Sequence, residues 1–140
     1  MTDSELCKAA VEVMENAYAP YSEFLVGAAL LCADGSIYTG CNIENSSYSA
    51  TVCAERTAIF KAVSEGKKDF VKIAIAGGKK GQITGACPPC GVCRQVLSEF
   101  CRPDFQVLIV SADSYEKHTL SELLPNAFSK NNKENINARS

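Results

Sequence analysis

Residues 24–43 read FLVGAALLCADGSIYTGCNI, two apolar runs hinged on Asp34-Gly35. The first run, 24–33, is apolar on both of the faces a strand presents, so it belongs inside a sheet covered on both sides. Asp-Gly between two such runs is a strong hairpin signal, and 36–43 is the returning strand. A sheet covered on both sides needs helices, and the flanking sequence supplies them. Thr2-x-x-Glu5 has capping-box spacing, and Leu6, Ala10, Val13 and Ala17 recur at helical intervals. Together they predict a helix over 3–17 that stops before Pro20. Residues 44–51 (ENSSYSAT) are polar loop. From Val52 the segment VCAERTAIFKAVSEG is helical, with Gly66 placed as the residue just past its end.

Further on, VKIAIAG (71–77) is a short buried strand, followed by a loop rich in Gly and Pro. A helix over 91–101 is stopped by Pro103, and strands follow over 105–110 and 115–120. The last two strands are too close in sequence for a parallel crossover, so they pair antiparallel, with 115–120 at the edge. SELLPNAF closes with a helical turn. The order α-β-β-α-β-α-β-β gives an α/β fold: a three-layer α-β-α sandwich around a five-stranded mixed sheet. No linker or repeat divides the chain. Residues 1–128 read as one catalytic domain, and 129–140 (SKNNKENINARS) as a disordered polar tail.

A chain of 140 residues with 46% apolar and 21% charged residues is a single globular domain by size and composition. Its net charge of −2 disfavours a nucleic-acid surface. No apolar run is long enough to span a membrane. The opening MTDSELCKAA has no signal-peptide character, so a cytoplasmic protein with reduced thiols is expected. The composition carries eight Cys against one His. In a reducing compartment those thiols are better read as metal ligands and buried apolar residues than as disulfides.

Two segments carry the chemistry: Cys53-Ala54-Glu55-Arg56, and Pro88-Pro89-Cys90-Gly91-Val92-Cys93. Both cysteine segments fall at predicted helix N-termini, where the partial positive charge favours thiolate. With so little His available, a tetrahedral zinc site here is built from Cys53, Cys90 and Cys93. Three ligands leave the fourth position open, as catalytic zinc sites do. Glu55 can lean over that position without ligating and move protons there. Arg56 can donate to the thiolates and offset their charge. Cys87 forms a second Cys-x-x-Cys with Cys90. If it also bound, the site would close and become structural.

Cys-Ala-Glu followed by Pro-Cys-x-x-Cys resembles the zinc nucleoside deaminases. With FLVGAAL (24–30), GCNIEN (40–45), CAERTAI (53–59), PPCGVCRQV (88–96) and ELLPNAF (122–128), the chain is similar to the small homotetrameric cytidine deaminases over about residues 4–128. The resemblance implies one Zn²⁺ per subunit on Cys53, Cys90 and Cys93. It implies hydrolytic deamination of cytidine and 2′-deoxycytidine in pyrimidine salvage, by zinc-bound hydroxide attack at C4 with Glu55 as proton shuttle. Phe24 would stack on the pyrimidine, Asn42 and Glu44 would bind the ribose 3′-hydroxyl, and Ala54 would also contact substrate. Ser46 and Tyr48 would reach a neighbouring subunit's nucleoside, and Phe128 would close the site from a neighbour. Arg56 and Gln95 would support the zinc thiolates. The partners implied are a nucleoside and three further copies of the chain, with neither nucleic acid nor membrane.

Blander readings stand beside these. Cys7, Cys32, Cys41 and Cys101 read as small buried residues. Phe24 alone would be core, Asn42 and Glu44 a loop cap, Tyr48 an interface residue, and Phe128 a core cover. The alternative functions are deamination of a modified cytosine nucleoside on the same scaffold, or a non-enzymatic zinc-binding module.

Overall fold

A computed structural model describes residues 1–79, 82–83 and 87–129 of the chain. Helix α1 (Asp3–Val13) starts on Thr2, whose hydroxyl accepts from the Glu5 N–H while the Glu5 carboxylate accepts from the Thr2 N–H. The helix is shorter than its periodicity predicts. Residues Met14–Asn16 tighten into a 3-10 turn, and the chain turns extended at Ala17. Strands β1 (Phe24–Cys32) and β2 (Ile37–Cys41) form the expected hairpin, with Gly35 at φ 91° in its turn. Helix α2 (Ala54–Ser64) ends on Gly66 at φ 89°, whose following N–H, on Lys67, returns to the Ala62 carbonyl. It starts at Ala54 because Cys53 is still extended. Strand β3 (Phe70–Lys79), helix α3 (Gly91–Phe100), strands β4 (Gln106–Val110) and β5 (Tyr115–Thr119), and the short α4 (Leu120–Leu123) complete the order.

The sheet order is β2-β1-β3-β4-β5. Only β3 and β4 pair in parallel, joined by the α3 crossover; the remaining pairs are antiparallel, including the close β4–β5 return at the edge. Alternation sorts the strands onto two cores. Leu30, Ile73, Ile75, Val107 and Ile109 face α2 and α3 together with Ala58, Ile59 and Leu97. Ala29, Ala74, Ala76 and Leu108 face α1 with Leu6, Ala10 and Met14. The three layers are therefore α1, the sheet, and α2 with α3 and α4.

Small residues set the spacing between layers. A Cβ on Gly27 would lie 2.1 Å from the Ala10 carbonyl oxygen, so α1 rests directly on β1. A Cβ on Gly40 would lie 2.5 Å from the Ala58 nitrogen, so α2 rests directly on β2. Among the described residues no helix is long and apolar enough to cross a membrane. Ser129, the first residue of the polar C-terminal segment, is buried. The remainder of that segment, expected as a disordered tail, lies outside the described residues.

Candidate active site

Antiparallel pairing sets Phe24, the first residue of β1, opposite Lys79, the last of β3. The site grows from this end of the sheet. Cys53 and Cys90 are the residues immediately before α2 and α3, each in an extended conformation, and neither side chain caps its helix. Their sulfurs are thus free to meet in space, at 3.8 Å. With Cys93, one turn into α3, they form a trio of sulfurs lying within 4.8 Å of one another.

Zinc bound to thiolates at about 2.3 Å in a tetrahedron puts two sulfurs about 3.8 Å apart, so the trio fits the ion. Arg56 points a guanidinium NH2 at the Cys53 sulfur at 3.5 Å, and its buried Nε has no partner among the described residues. That cation, with the hydrogen bonds from Cys93 and Cys90, pulls the Cys53 thiol down to about 5; the Cys93 hydrogen bond is the largest cause. The Cys93 thiol, as the donor to Cys53 in a buried position, is held up. A metal would displace that proton and bind the sulfur as thiolate.

Glu55 is the second residue of α2 and only 4% exposed. Loss of hydration is the main reason its carboxyl rises to about 7, with the Cys53 charge adding to the rise. A buried carboxyl that can hold or release a proton near neutral pH, beside three sulfurs that could hold a metal, is suited to proton transfer.

Cys87 does not join the trio, although it is described and adjacent. Its sulfur lies 3.0 Å from where a Gly77 Cβ would be, and the Phe24 ring edge is 2.9 Å from the same point. The missing side chain at Gly77 is what lets the Phe24 ring and Cys87 settle on β3. Burial, with the Glu55 and Cys53 charges behind it, pushes the Cys87 thiol up to about 11. Cys7, Cys32 and Cys101 are buried and Cys41 half-buried, in keeping with core roles.

The loop residues form a hydrogen-bonded frame at the start of β1. Asn42, 9% exposed, accepts from the Val26 N–H at 2.8 Å and donates to the Phe24 carbonyl at 2.9 Å. Glu44 accepts the Tyr21 and Ser22 N–H groups on one oxygen and the Ser22 hydroxyl on the other. Ala54 is fully buried at the first position of α2. Ser46 pairs with the Tyr21 hydroxyl at 2.7 Å, while Tyr48 is 82% and Phe128 66% exposed.

Of the two residues expected to support the thiolates, Arg56 reaches one, and Gln95 spends its amide on the Phe128 carbonyl at 2.7 Å. Its neighbour Arg94 ties the Pro89 carbonyl, at 2.8 Å, to that of Leu123, at 2.6 Å.

Sequence patterns passed over Ser22, Gly77 and Arg94. Only Ser22 left a signal, as a hydroxyl in a Pro-x-Ser turn two residues before the strand. The other two meet Phe24 and Leu123, partners remote in sequence.

A cluster of three thiols with a buried carboxylate beside it, at the helix N-termini of an α/β sandwich, is the donor set of a zinc hydrolase. Residues 1–109 match the family described as the cytidine and deoxycytidylate deaminase zinc-binding region, and the chain belongs to that family. It is 52% identical over 124 residues to a cytidine deaminase of Halalkalibacterium halodurans, covering 88% of this chain and 91% of that protein. It is 53% identical over 117 residues to one from Sporosarcina psychrophila, covering 83% of each. The crystal structure of a cytidine deaminase from Burkholderia pseudomallei superposes with a TM-score of 0.84 at 43% identity, over 91% of this chain and all of that one.

Proposed function

We propose that this chain hydrolytically deaminates cytidine and 2′-deoxycytidine to uridine and 2′-deoxyuridine, releasing ammonia. The observation that carries the proposal is the juxtaposition of the three-thiol cluster with buried Glu55. Zinc held by Cys53, Cys90 and Cys93 supplies Lewis acidity that makes water nucleophilic at neutral pH. Glu55 takes a proton from the attacking water, delivers one to N3 as water adds at C4, and carries the next to the departing 4-amino group. Arg56 keeps the thiolates from accumulating uncompensated charge. Burial of Ala54 and Glu55 excludes bulk water from the proton path.

Phe24 offers its ring face to the pyrimidine, a stack worth about 1–3 kcal/mol. Among the described residues, Asn42 has one amide N–H still unspent and Glu44 has one of its roughly four acceptor positions open. A donor beside an acceptor suits a sugar hydroxyl, which accepts and donates at once. Ser46, Tyr48 and Phe128 are assigned to the contact with a neighbouring copy, whose nucleoside they help enclose; the high exposure of Tyr48 and Phe128 supports this. The assembly is a homotetramer with one zinc per subunit, working in the cytoplasm, and residues 1–128 form its catalytic domain.

The test is the cytidine absorbance band in the presence of purified, zinc-loaded protein. Its loss, with release of one ammonia per nucleoside, is expected for both cytidine and deoxycytidine. No change with either nucleoside would overturn the assignment.

A further inference from the structure

The turn that leads into β1 carries one hydroxyl on which both halves of the nucleoside region depend. Ser22 Oγ donates to Glu44 Oε2 and accepts from the Phe24 N–H at 3.1 Å. The Ser22 N–H donates to Glu44 Oε1 at 3.1 Å, beside the Tyr21 N–H at 3.0 Å. Because an N–H already points at the hydroxyl oxygen, the hydroxyl's single proton is directed to the carboxylate. Glu23, between Ser22 and Phe24, sits at φ 61°, a conformation disfavoured for a residue with a side chain. The kink lets Ser22 face Glu44 and Phe24 together.

The Glu44 carboxylate therefore has two donors on Oε1 and one on Oε2 among the described residues. With about two acceptor positions per oxygen, the open one is on Oε2, the atom that Ser22 holds. We propose that Ser22 is a positioning residue for nucleoside binding. Its hydroxyl aims the open position of Glu44 at the 3′-hydroxyl and locks that aim to the start of β1, where Phe24 presents its ring. This rests on Glu44 as the sugar ligand.

The experiment uses the zinc-loaded full chain and two substrates that differ only at the sugar, 2′-deoxycytidine and 2′,3′-dideoxycytidine. The readout is the ratio of their kcat/KM values, with thermal melting and zinc content measured alongside. The wild-type protein favours deoxycytidine, and Glu44→Ala abolishes the preference. Ser22→Ala lowers it about tenfold, mainly through KM, as expected for loosening a hydrogen-bonded carboxylate. Ser22→Thr, which keeps the hydroxyl, restores it.

A purely structural role for Ser22 would lower both rates together and leave the ratio intact. An intact ratio in Ser22→Ala, with the preference lost in Glu44→Ala, overturns the positioning role and leaves the sugar-ligand assignment standing. A preference retained in Glu44→Ala overturns both. If Ser22→Ala does not fold, Ser22→Cys, a weaker donor of similar size, reads the same quantity: an intermediate ratio supports the proposal and a wild-type ratio overturns it.

Discussion

The sulfurs of Cys53 and Cys90 stand 3.8 Å apart although 37 residues separate them in the chain. Each belongs to the residue immediately before a helix, and the two helices cover the same face of the sheet. The separation matches that of two thiolates on one tetrahedral ion, about 3.8 Å. Chelation should therefore lower the melting temperature and make three further thiols reactive, since the ion would link the starts of two helices. Cys90→Ala should lose zinc on dialysis while remaining folded. A full equivalent of zinc in that variant would rule Cys90 out as a ligand.

Glu55→Gln separates proton transfer from metal binding. The amide fills the same buried space and cannot carry a proton, so zinc content should match the wild type. General acid and base catalysis by one positioned group is worth about 10²–10⁴ in rate, and turnover should fall by at least that much. Zinc analysis and steady-state rates on one sample decide the matter. Rates within a few-fold of wild type would remove Glu55 from the chemistry.

Cys87 bears on whether the site is open or closed. Its sulfur rests against Gly77, outside the trio, and burial favours its neutral form. Cys87→Ser should bind one equivalent of zinc with an affinity close to wild type. A large loss of zinc affinity would mark Cys87 as a fourth ligand and the centre as structural.

Element types and their order were legible because each rests on local chemistry: the Asp34-Gly35 turn, the Thr2/Glu5 capping box, and the Gly66 stop. Boundaries slipped where tertiary demands competed, as where Met14–Asn16 tighten into 3-10 geometry. The thiol trio was legible because zinc ligation restricts both residue type and spacing. Ser22 and Gly77 were not, since a serine in a turn and a glycine in a strand have many uses. What gives them meaning is Glu44, 22 residues from Ser22, and the Phe24 ring resting on β3.

Gly40 connects packing to the site. An alanine there would place its Cβ 2.5 Å from the Ala58 nitrogen and 2.7 Å from the Ala54 oxygen, both backbone atoms of α2. Neither can move alone, so the helix carrying Glu55 must shift. Overpacking of this kind costs roughly 1–3 kcal/mol. Gly40→Ala should therefore lower both the melting temperature and kcat. Gly27→Ala, which crowds α1 on the opposite face, should lower the melting temperature with a smaller effect on kcat per folded molecule. Equal kcat losses in the two variants would contradict this division.

Asp3 joins the first helix to two strands. Its Oδ1 accepts from Lys72 of β3 at 2.7 Å and its Oδ2 from Lys117 of β5 at 2.9 Å, bridging across β4. The hydrogen bonds from Lys72 and then Lys117 hold its carboxyl below the ordinary 3.8. A carboxylate with a depressed folded pKa contributes stability that is present above the unfolded value and lost as pH falls through the folded one. The melting-temperature gap between wild type and Asp3→Asn should therefore be constant from about pH 5 to 8 and close progressively below about pH 4. Partly exposed ion pairs are worth about 1 kcal/mol, which is a shift of a few degrees for a domain of this size. Added salt should narrow the gap, because Lys117 is nearly half exposed. A gap that persists unchanged at pH 3 would mean that the charge of Asp3 is not what separates the two proteins.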